Sequence, residues 1–186
     1  MFLRISVRIV IAAFALLLPL IAVGPSAAAE IERAAVTITY DDRQAPEYTD
    51  AITAGIAIWN EQLENVQIDK VAAGGDPDVE FVSDPGWPRA ELGPAMPGDS
   101  LTIWFGKQAV DEGYDLTRIA AHEFGHSLGL PDMKPGPCES LMSGSTGGVA
   151  CTNATPNAEE VAKAESNYAG GFARQHSDKG KVLVNR

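Results

Sequence analysis

The residues best suited to chemistry lie in one short string, HEFGHSLGLPD, which runs from His122 to Asp132. On a helix, residues four positions apart share a face, so His122 and His126 can offer imidazole nitrogens to one metal ion. Glu123 follows His122 directly and is placed to reach a water molecule that the metal holds. The pattern predicts a zinc ion that activates water, with Glu123 as the general base that takes its proton.

A third protein ligand should follow the helix, because a catalytic zinc normally has three protein ligands plus solvent. Gly129 lets the chain leave the helix and turn back, and Pro131 stiffens the returning segment. Asp132 can then bring a carboxylate oxygen, which zinc accepts, to the open side of the metal. The alternative third ligand is His176, which lies in the polar tail of the chain.

The helix that carries this string has recognisable ends. Asp115 or Thr117 can cap its start, and Gly129 can supply the left-handed residue that ends it after about Leu128. The following residues, 130–156, show no periodicity and contain Pro, Gly and Ser throughout. They predict an irregular segment.

Strands and two more helices account for the rest of the domain. Apolar residues alternate over residues 34–40, which predicts a half-buried strand, and an apolar stripe after Pro46 predicts a helix that lies on a sheet. Further along the chain, the predicted elements are short strands near residues 66–68 and 78–82, a long irregular surface loop over residues 83–100, a last clear strand at residues 101–105 (LTIWF), and a final helix that begins near Pro156 or Asn157.

The N-terminus predicts export from the cytosol. Arg4 and Arg8 precede an apolar run over residues 9–23, and small residues up to Ala29 follow it, which is the order of a secretory signal peptide. An uncleaved membrane anchor is the alternative, but a spanning helix needs about 20 apolar residues. We therefore expect a signal peptide over residues 1–29, a catalytic domain over residues 30–172 and a polar, frayed tail over residues 173–186.

Composition limits the partners of the folded protein. The chain has 186 residues, with 14 Lys and Arg against 25 Asp and Glu, and a formal net charge of -11. Nucleic acid is excluded as a partner because no basic surplus is present, and an anionic membrane would repel the folded domain. We expect an extracellular monomer that acts on protein or peptide substrates.

The two cysteines, Cys138 and Cys151, should form a disulfide if the protein is secreted, because disulfides persist outside the cytosol. Two cysteines allow one intramolecular pairing, and closing a loop of this length stabilises the fold by about 3 kcal/mol on the chain-entropy estimate. Two free buried thiols are the alternative.

Three strings resemble the snapalysin family of small secreted bacterial neutral metalloproteases: HEFGHSLGLPD, GPCESLMSG from Gly136, and CTNATPNAEE from Cys151. The resemblance extends upstream to VTITYD and IWN and covers most of the mature chain. It implies an α+β fold of the zincin or metzincin type, with a small twisted mixed sheet, two long helices, an irregular Met-turn region and a final helix. It also implies a zinc metalloendopeptidase in which Asp132 replaces the usual third histidine.

The resemblance assigns further residues. Met142 matches the Met-turn residue, an apolar floor beneath the metal, although an ordinary core methionine is the alternative. Cys138 and Cys151 match the disulfide of the family. Asp115 and Thr117 correspond to residues that bind a structural calcium ion, but helix capping explains both equally well.

One position departs from the family pattern. Where the family has a tyrosine proposed to stabilise the oxyanion, two residues after the aspartate ligand, this chain has Lys134. An ammonium group can supply positive charge to a developing alkoxide, and a solvated loop residue is the alternative.

The resemblance also implies how a substrate binds, and two other functions are possible for such a site. Peptides lie in metzincin-like proteases as an added edge strand, and the LTIWF strand is the predicted edge. The resemblance implies a preference for an aromatic side chain just after the cleaved bond. The rivals are an inactive relative that keeps zinc and binds peptides, and a non-enzymatic zinc or calcium scaffold. Glu123 argues against both, because a site that only ligates metal has no use for this carboxylate.

Overall fold

The described part of the chain forms a mixed sheet of six strands. Four of them were predicted from the sequence, and Arg89–Glu91 and Val182–Val184 were not. In the computed structural model, residues 35–169 and 178–184 are described. The strands in chain order are β1 (Val36–Gln44), β2 (Val66–Lys70), β3 (Val79–Asp84), β4 (Arg89–Glu91), β5 (Leu101–Gly106) and β6 (Val182–Val184). They lie in the order β2-β1-β3-β5-β4-β6. β1, β2, β3 and β5 run parallel, whereas β4 is antiparallel to both of its neighbours.

Helices connect and cover these strands. The α-helices are α1 (Thr49–Gln62), α2 (Lys107–Asp111), α3 (Leu116–Ser127) and α4 (Ala158–Tyr168), and 3-10 turns are formed by Pro46–Tyr48 and Leu141–Gly147. The α+β class is thus confirmed. No helix within the described ranges is long and apolar enough to cross a membrane. The predicted signal peptide and His176 lie outside the described residues.

Helices α1 and α3 pack against each other unusually closely. A side chain at Gly55 would place its Cβ atom 2.9 Å from the backbone nitrogen of Ala121, so only glycine fits there. Trp59, fully buried, donates its indole N–H to the carbonyl of Ala121 at 2.8 Å. Phe124 of α3 stacks on Phe81 of β3 with ring centroids 6.2 Å apart. Helix α3 is therefore fixed between α1 and the sheet.

The segment predicted as a surface loop, residues 83–100, contains β4 and contributes to the core. Ala90 and Ala95 are fully buried, and Leu92 nearly so. The strand is too short to show an alternating pattern, and the surrounding Pro and Gly residues obscured it.

The prediction that the LTIWF strand, β5, is an edge of the sheet is also wrong. β5 pairs with β3 on one side and β4 on the other, because β4 folds back antiparallel against it. The outer strands of this sheet are β2 and β6.

The C-terminal part of the chain differs from prediction in one respect. The final helix α4 begins as expected, with Asn157 and Glu160 forming a reciprocal capping box. Beyond it, residues 182–184 were expected to be frayed, yet they form β6 and pair with β4. The LTIWF strand is therefore not the last one. Backbone pairing with a partner strand orders a segment whose own composition gives little sign of structure.

Candidate metal centre

Helix α3 presents the predicted motif between two well-defined ends. Asp115 caps its start, because its carboxylate accepts the backbone N–H of Arg118 at 2.8 Å. At the other end, Gly129 has a φ of +87° and the N–H of Leu130 donates to the carbonyl of Gly125 at 3.0 Å. This turn reverses the chain so that the residues after it return toward the helix.

His122, His126 and Asp132 come together at this reversal. Asp132 Oδ1 lies 3.4 Å from Nε2 of His122 and 3.6 Å from Nε2 of His126. The three donor atoms lie within 4.8 Å of one another, and this is the one such group of His, Cys, Asp or Glu in the described part of the chain. Both imidazoles are buried, and Asp132 is partly buried. The structure thus brings the three predicted ligands to one point.

Backbone carbonyls orient both imidazoles. Nδ1 of His122 contacts the carbonyl of Leu141 at 2.9 Å, and Nδ1 of His126 contacts the carbonyl of Leu130 at 2.7 Å. A carbonyl accepts only, so each Nδ1 carries the proton and each Nε2 keeps its lone pair. The lone pairs therefore face Asp132, which is how histidine ligands are usually supported from outside a metal site.

The ligand atoms fit a zinc ion. Nε2 of both histidines and Oδ1 of Asp132 are buried and have no hydrogen-bond partner among the described residues. Buried polar atoms are almost always satisfied, so three such atoms facing one another indicate a missing common partner. Two imidazoles and one carboxylate form a donor set that zinc accepts.

Protonation favours the same conclusion. Burial lowers the pKa of His126 to about 3, and the neighbouring His122 acts in the same direction. Burial alone would raise the pKa of Asp132, but that pKa lies below its usual value, and the positive charge of the nearby Lys134 acts in this direction. At neutral pH His126 is therefore neutral and Asp132 charged, as metal ligands must be.

Four more predicted residues lie along α3 or shortly after it. Glu123 is completely buried on α3, directly after His122. Lys134 places its Nζ 3.2 Å from Asp132 Oδ1, and its side chain is only 16% exposed. It is therefore not the solvated loop residue of the alternative interpretation. Asp115 serves as a helix cap, and Thr117 lies in the first turn of α3.

Met142 forms part of the surface on which α3 rests. It is 1% exposed, and a side chain at Gly125 would place Cβ 2.7 Å from its sulfur atom. Gly125 lies between the two histidines in sequence, so Met142 packs against the helix at the level of the site. Its backbone carbonyl also accepts the N–H of Met133, next to Asp132, at 2.8 Å.

Two buried charged residues that were not predicted to matter here form hydrogen bonds with the segment around Met142. Arg118 donates to the carbonyl of Ser140 and to the hydroxyl of Ser143, both at 2.9 Å. Glu160 accepts the backbone N–H of Met142 at 2.8 Å and the hydroxyl of Ser140 at 2.7 Å. Nothing in the sequence pointed to these contacts of Glu160, whereas an arginine among the apolar residues of α3 was the available signal for Arg118.

The disulfide between Cys138 and Cys151 is confirmed. It brackets the Leu141–Gly147 turn that carries Met142.

We predict that replacing both cysteines by alanine lowers the free energy of unfolding by about 3 kcal/mol, because the unfolded chain regains the freedom of the closed loop. Urea unfolding of the variant and the unmodified chain measures the difference. A reductant should destabilise the unmodified chain equally and leave the variant unchanged; equal stability of the two oxidised proteins would contradict the prediction.

Helix α3 is buried and carries the H-E-x-x-H motif, and its two imidazoles meet a carboxylate from the turn that follows. This combination is typical of the zinc peptidases. The sequence model of the Streptomyces extracellular neutral proteinase (M7) family matches residues 35–171. The chain belongs to this family, which confirms the resemblance to the snapalysins.

Relatives support this assignment. The chain is 39% identical over 140 residues to an extracellular small neutral protease of Streptomyces sp. (strain C5), a match that covers 75% of this chain and 59% of the relative. It is 38% identical over 136 residues to the protein of that name from Streptomyces caespitosus, covering 73% of this chain and 99% of the relative.

Two solved structures are similar in part to this chain. One is high choriolytic enzyme 1, a hatching enzyme zinc-protease from medaka (Oryzias latipes), and the other is myroilysin. The first has 19% identity and a TM-score of 0.39, over 53% of this chain and 46% of that chain. The second has 15% identity and a TM-score of 0.45, over 77% of this chain and 94% of that chain.

Proposed function

We propose that the protein is a secreted zinc metalloendopeptidase that cleaves protein or peptide substrates. The observation that carries this proposal is the meeting of His122, His126 and Asp132 through three buried ligand atoms, none of which has a hydrogen-bond partner among the described residues. Membership of a family of extracellular neutral proteinases supports it. An inactive peptide-binding relative would need the same ligands but not Glu123, which is buried beside them.

The chain's own residues divide the work as follows. His122, His126 and Asp132 would hold zinc, which when bound supplies a Lewis acid that polarises the peptide carbonyl and acidifies water. The Glu123 carboxylate accepts a proton from the attacking water and then donates it to the leaving amine. The tautomers set by the carbonyls of Leu130 and Leu141 keep both imidazoles ready to ligate.

Elemental analysis combined with a casein-clearing assay tests the proposal. We expect one zinc per chain and clearing that a chelator removes and added zinc restores. A chain without stoichiometric metal even after reconstitution would overturn the proposed site. A zinc-loaded chain that hydrolyses neither casein nor a quenched peptide would favour the inactive peptide-binding relative.

Lys134 is proposed to stabilise the oxyanion in place of the family tyrosine, because its ammonium group lies beside the ligand cluster. Lys134→Ala should lower kcat by about tenfold to a hundredfold and change KM less. Lys134→Arg, which keeps the charge, should retain more of kcat. Steady-state kinetics with a quenched peptide measures both variants at verified zinc content. An unchanged kcat in the alanine variant would remove Lys134 from the mechanism.

Other features of the proposal rest on the sequence. The signal peptide over residues 1–29 would direct secretion, and the extracellular names of the relatives agree with it. The family match lies within the proposed catalytic domain of residues 30–172. A monomeric state, the metzincin type of fold and the aromatic preference stay predictions. Calcium at Asp115 and Thr117 rests on family resemblance alone, since capping accounts for Asp115.

A further inference from the structure

We propose that β6, by pairing with the outer edge of β4, is a built-in competitor of an extended peptide substrate. This inference rests on the proposed peptidase function. It concerns a part of the chain that the function has not used so far, since the family match ends at residue 171 and β6 begins at Val182.

The pairing of β6 with β4 is that of an added antiparallel strand. Arg89, Ala90 and Glu91 oppose Val184, Leu183 and Val182 in register. The pairing continues one residue further, because the N–H of Leu92 donates to the carbonyl of Lys181 at 2.8 Å and its carbonyl accepts the N–H of Gly180 at 2.7 Å. β6 thus uses the backbone groups that an incoming peptide would use.

β4 leads directly to the metal centre. The N–H of Gly93 donates to the carbonyl of His126, and the N–H of Ala95 donates to the carbonyl of Ser127, both at 2.8 Å. The chain that continues from β4 is therefore bonded to the turn of α3 that carries a ligand. The other outer strand, β2, lies four strand spacings from β4, about 19 Å at the usual separation of strands. Of the two sides of the sheet, the one at β4 is therefore joined directly to the helix that carries the ligands.

The occupant is held weakly enough to be displaced. β6 has three residues, and its two valines are 43% and 47% exposed, so little apolar surface is buried. An ion pair between Lys179 and Asp99 at 2.6 Å assists it, but partly exposed pairs contribute little. An edge pairing of this size competes with a substrate without excluding it.

Leu183→Pro in the full chain tests the competition. Proline lacks the N–H that a paired strand donates, so β6 should leave β4, whereas Leu183→Val keeps that donor and serves as the matched variant. We expect KM for a quenched octapeptide to fall about fivefold to tenfold in the proline variant, with kcat unchanged, and KM to stay the same in the valine variant. Normal hydrolysis with an unchanged KM in the proline variant would overturn the inference and leave the peptidase function intact.

A binding measurement separates the two proposals. A fluorescent peptide with the sequence of residues 179–184, KGKVLV, is added to the Leu183→Pro chain, and its anisotropy is followed as the octapeptide is titrated in. Binding that the octapeptide displaces supports the shared edge, even for a chain that cleaves nothing. Absence of binding, or binding that the octapeptide leaves unchanged, overturns it. Failure of the unmodified chain to cleave any peptide counts against the peptidase function alone.

Discussion

Glu123→Gln is expected to lower kcat about a hundredfold to ten-thousandfold while the chain keeps one zinc ion. Glutamine has the shape of glutamate and fits the same buried position, but it cannot accept a proton from water. Loss of a positioned general base typically removes rate factors of about this size. Because Glu123 is not a predicted ligand, metal binding through His122, His126 and Asp132 should persist. Hydrolysis of a quenched peptide and elemental analysis of the same sample measure the two effects.

A matched variant makes this result specific. Glu61→Gln removes the same charge from an exposed position of α1, and it should leave both kcat and zinc content unchanged. The role of Glu123 as general base is wrong if its glutamine variant retains appreciable proteolysis. A glutamine variant that has lost zinc would instead show that Glu123 is needed to assemble the centre.

His126→Ala is expected to remove both metal and activity. The substitution deletes one of three ligand atoms and also the ring that contacts the carbonyl of Leu130. The variant keeps only two protein ligands, whereas a catalytic zinc site normally has three. We expect zinc content to fall from one per chain to near zero after dialysis, and hydrolysis to fall to background. Elemental analysis and the quenched-peptide assay provide the readouts.

The unmodified chain, stripped with a chelator and dialysed, is the control for this variant. It should recover zinc and activity when zinc is added back, whereas the alanine variant should recover neither. Circular dichroism of both proteins shows whether the variant is folded. A folded alanine variant with full zinc content and activity would exclude His126 as a ligand.

The parts of the site that lie close in sequence could be predicted. The spacing of His122 and His126 fixes their shared face on a helix, and the reversal at Gly129 brings Asp132 back over the same ends of the imidazole rings. Both effects act within about ten residues and depend on local backbone geometry. The same is true of the cap at Asp115.

Distant contacts could not be predicted from patterns. Arg118 and Glu160 contact residues 140–143 across 18 to 25 residues of sequence, and no periodicity predicts such a contact. β4 was missed because three residues are too few to show alternation. Its insertion beside β5 then made the predicted edge wrong, since strand order depends on non-local pairing.

The carbonyls of Leu141 and Leu130 orient the two imidazoles through contacts within the polypeptide. The pocket for zinc is thus largely built by the polypeptide itself, so the folded state need not collapse when the ion leaves. We expect depletion in metal-poor surroundings to leave an inactive but folded protein, and replenishment to restore its activity without refolding. Activity outside the cell would follow the supply of free zinc.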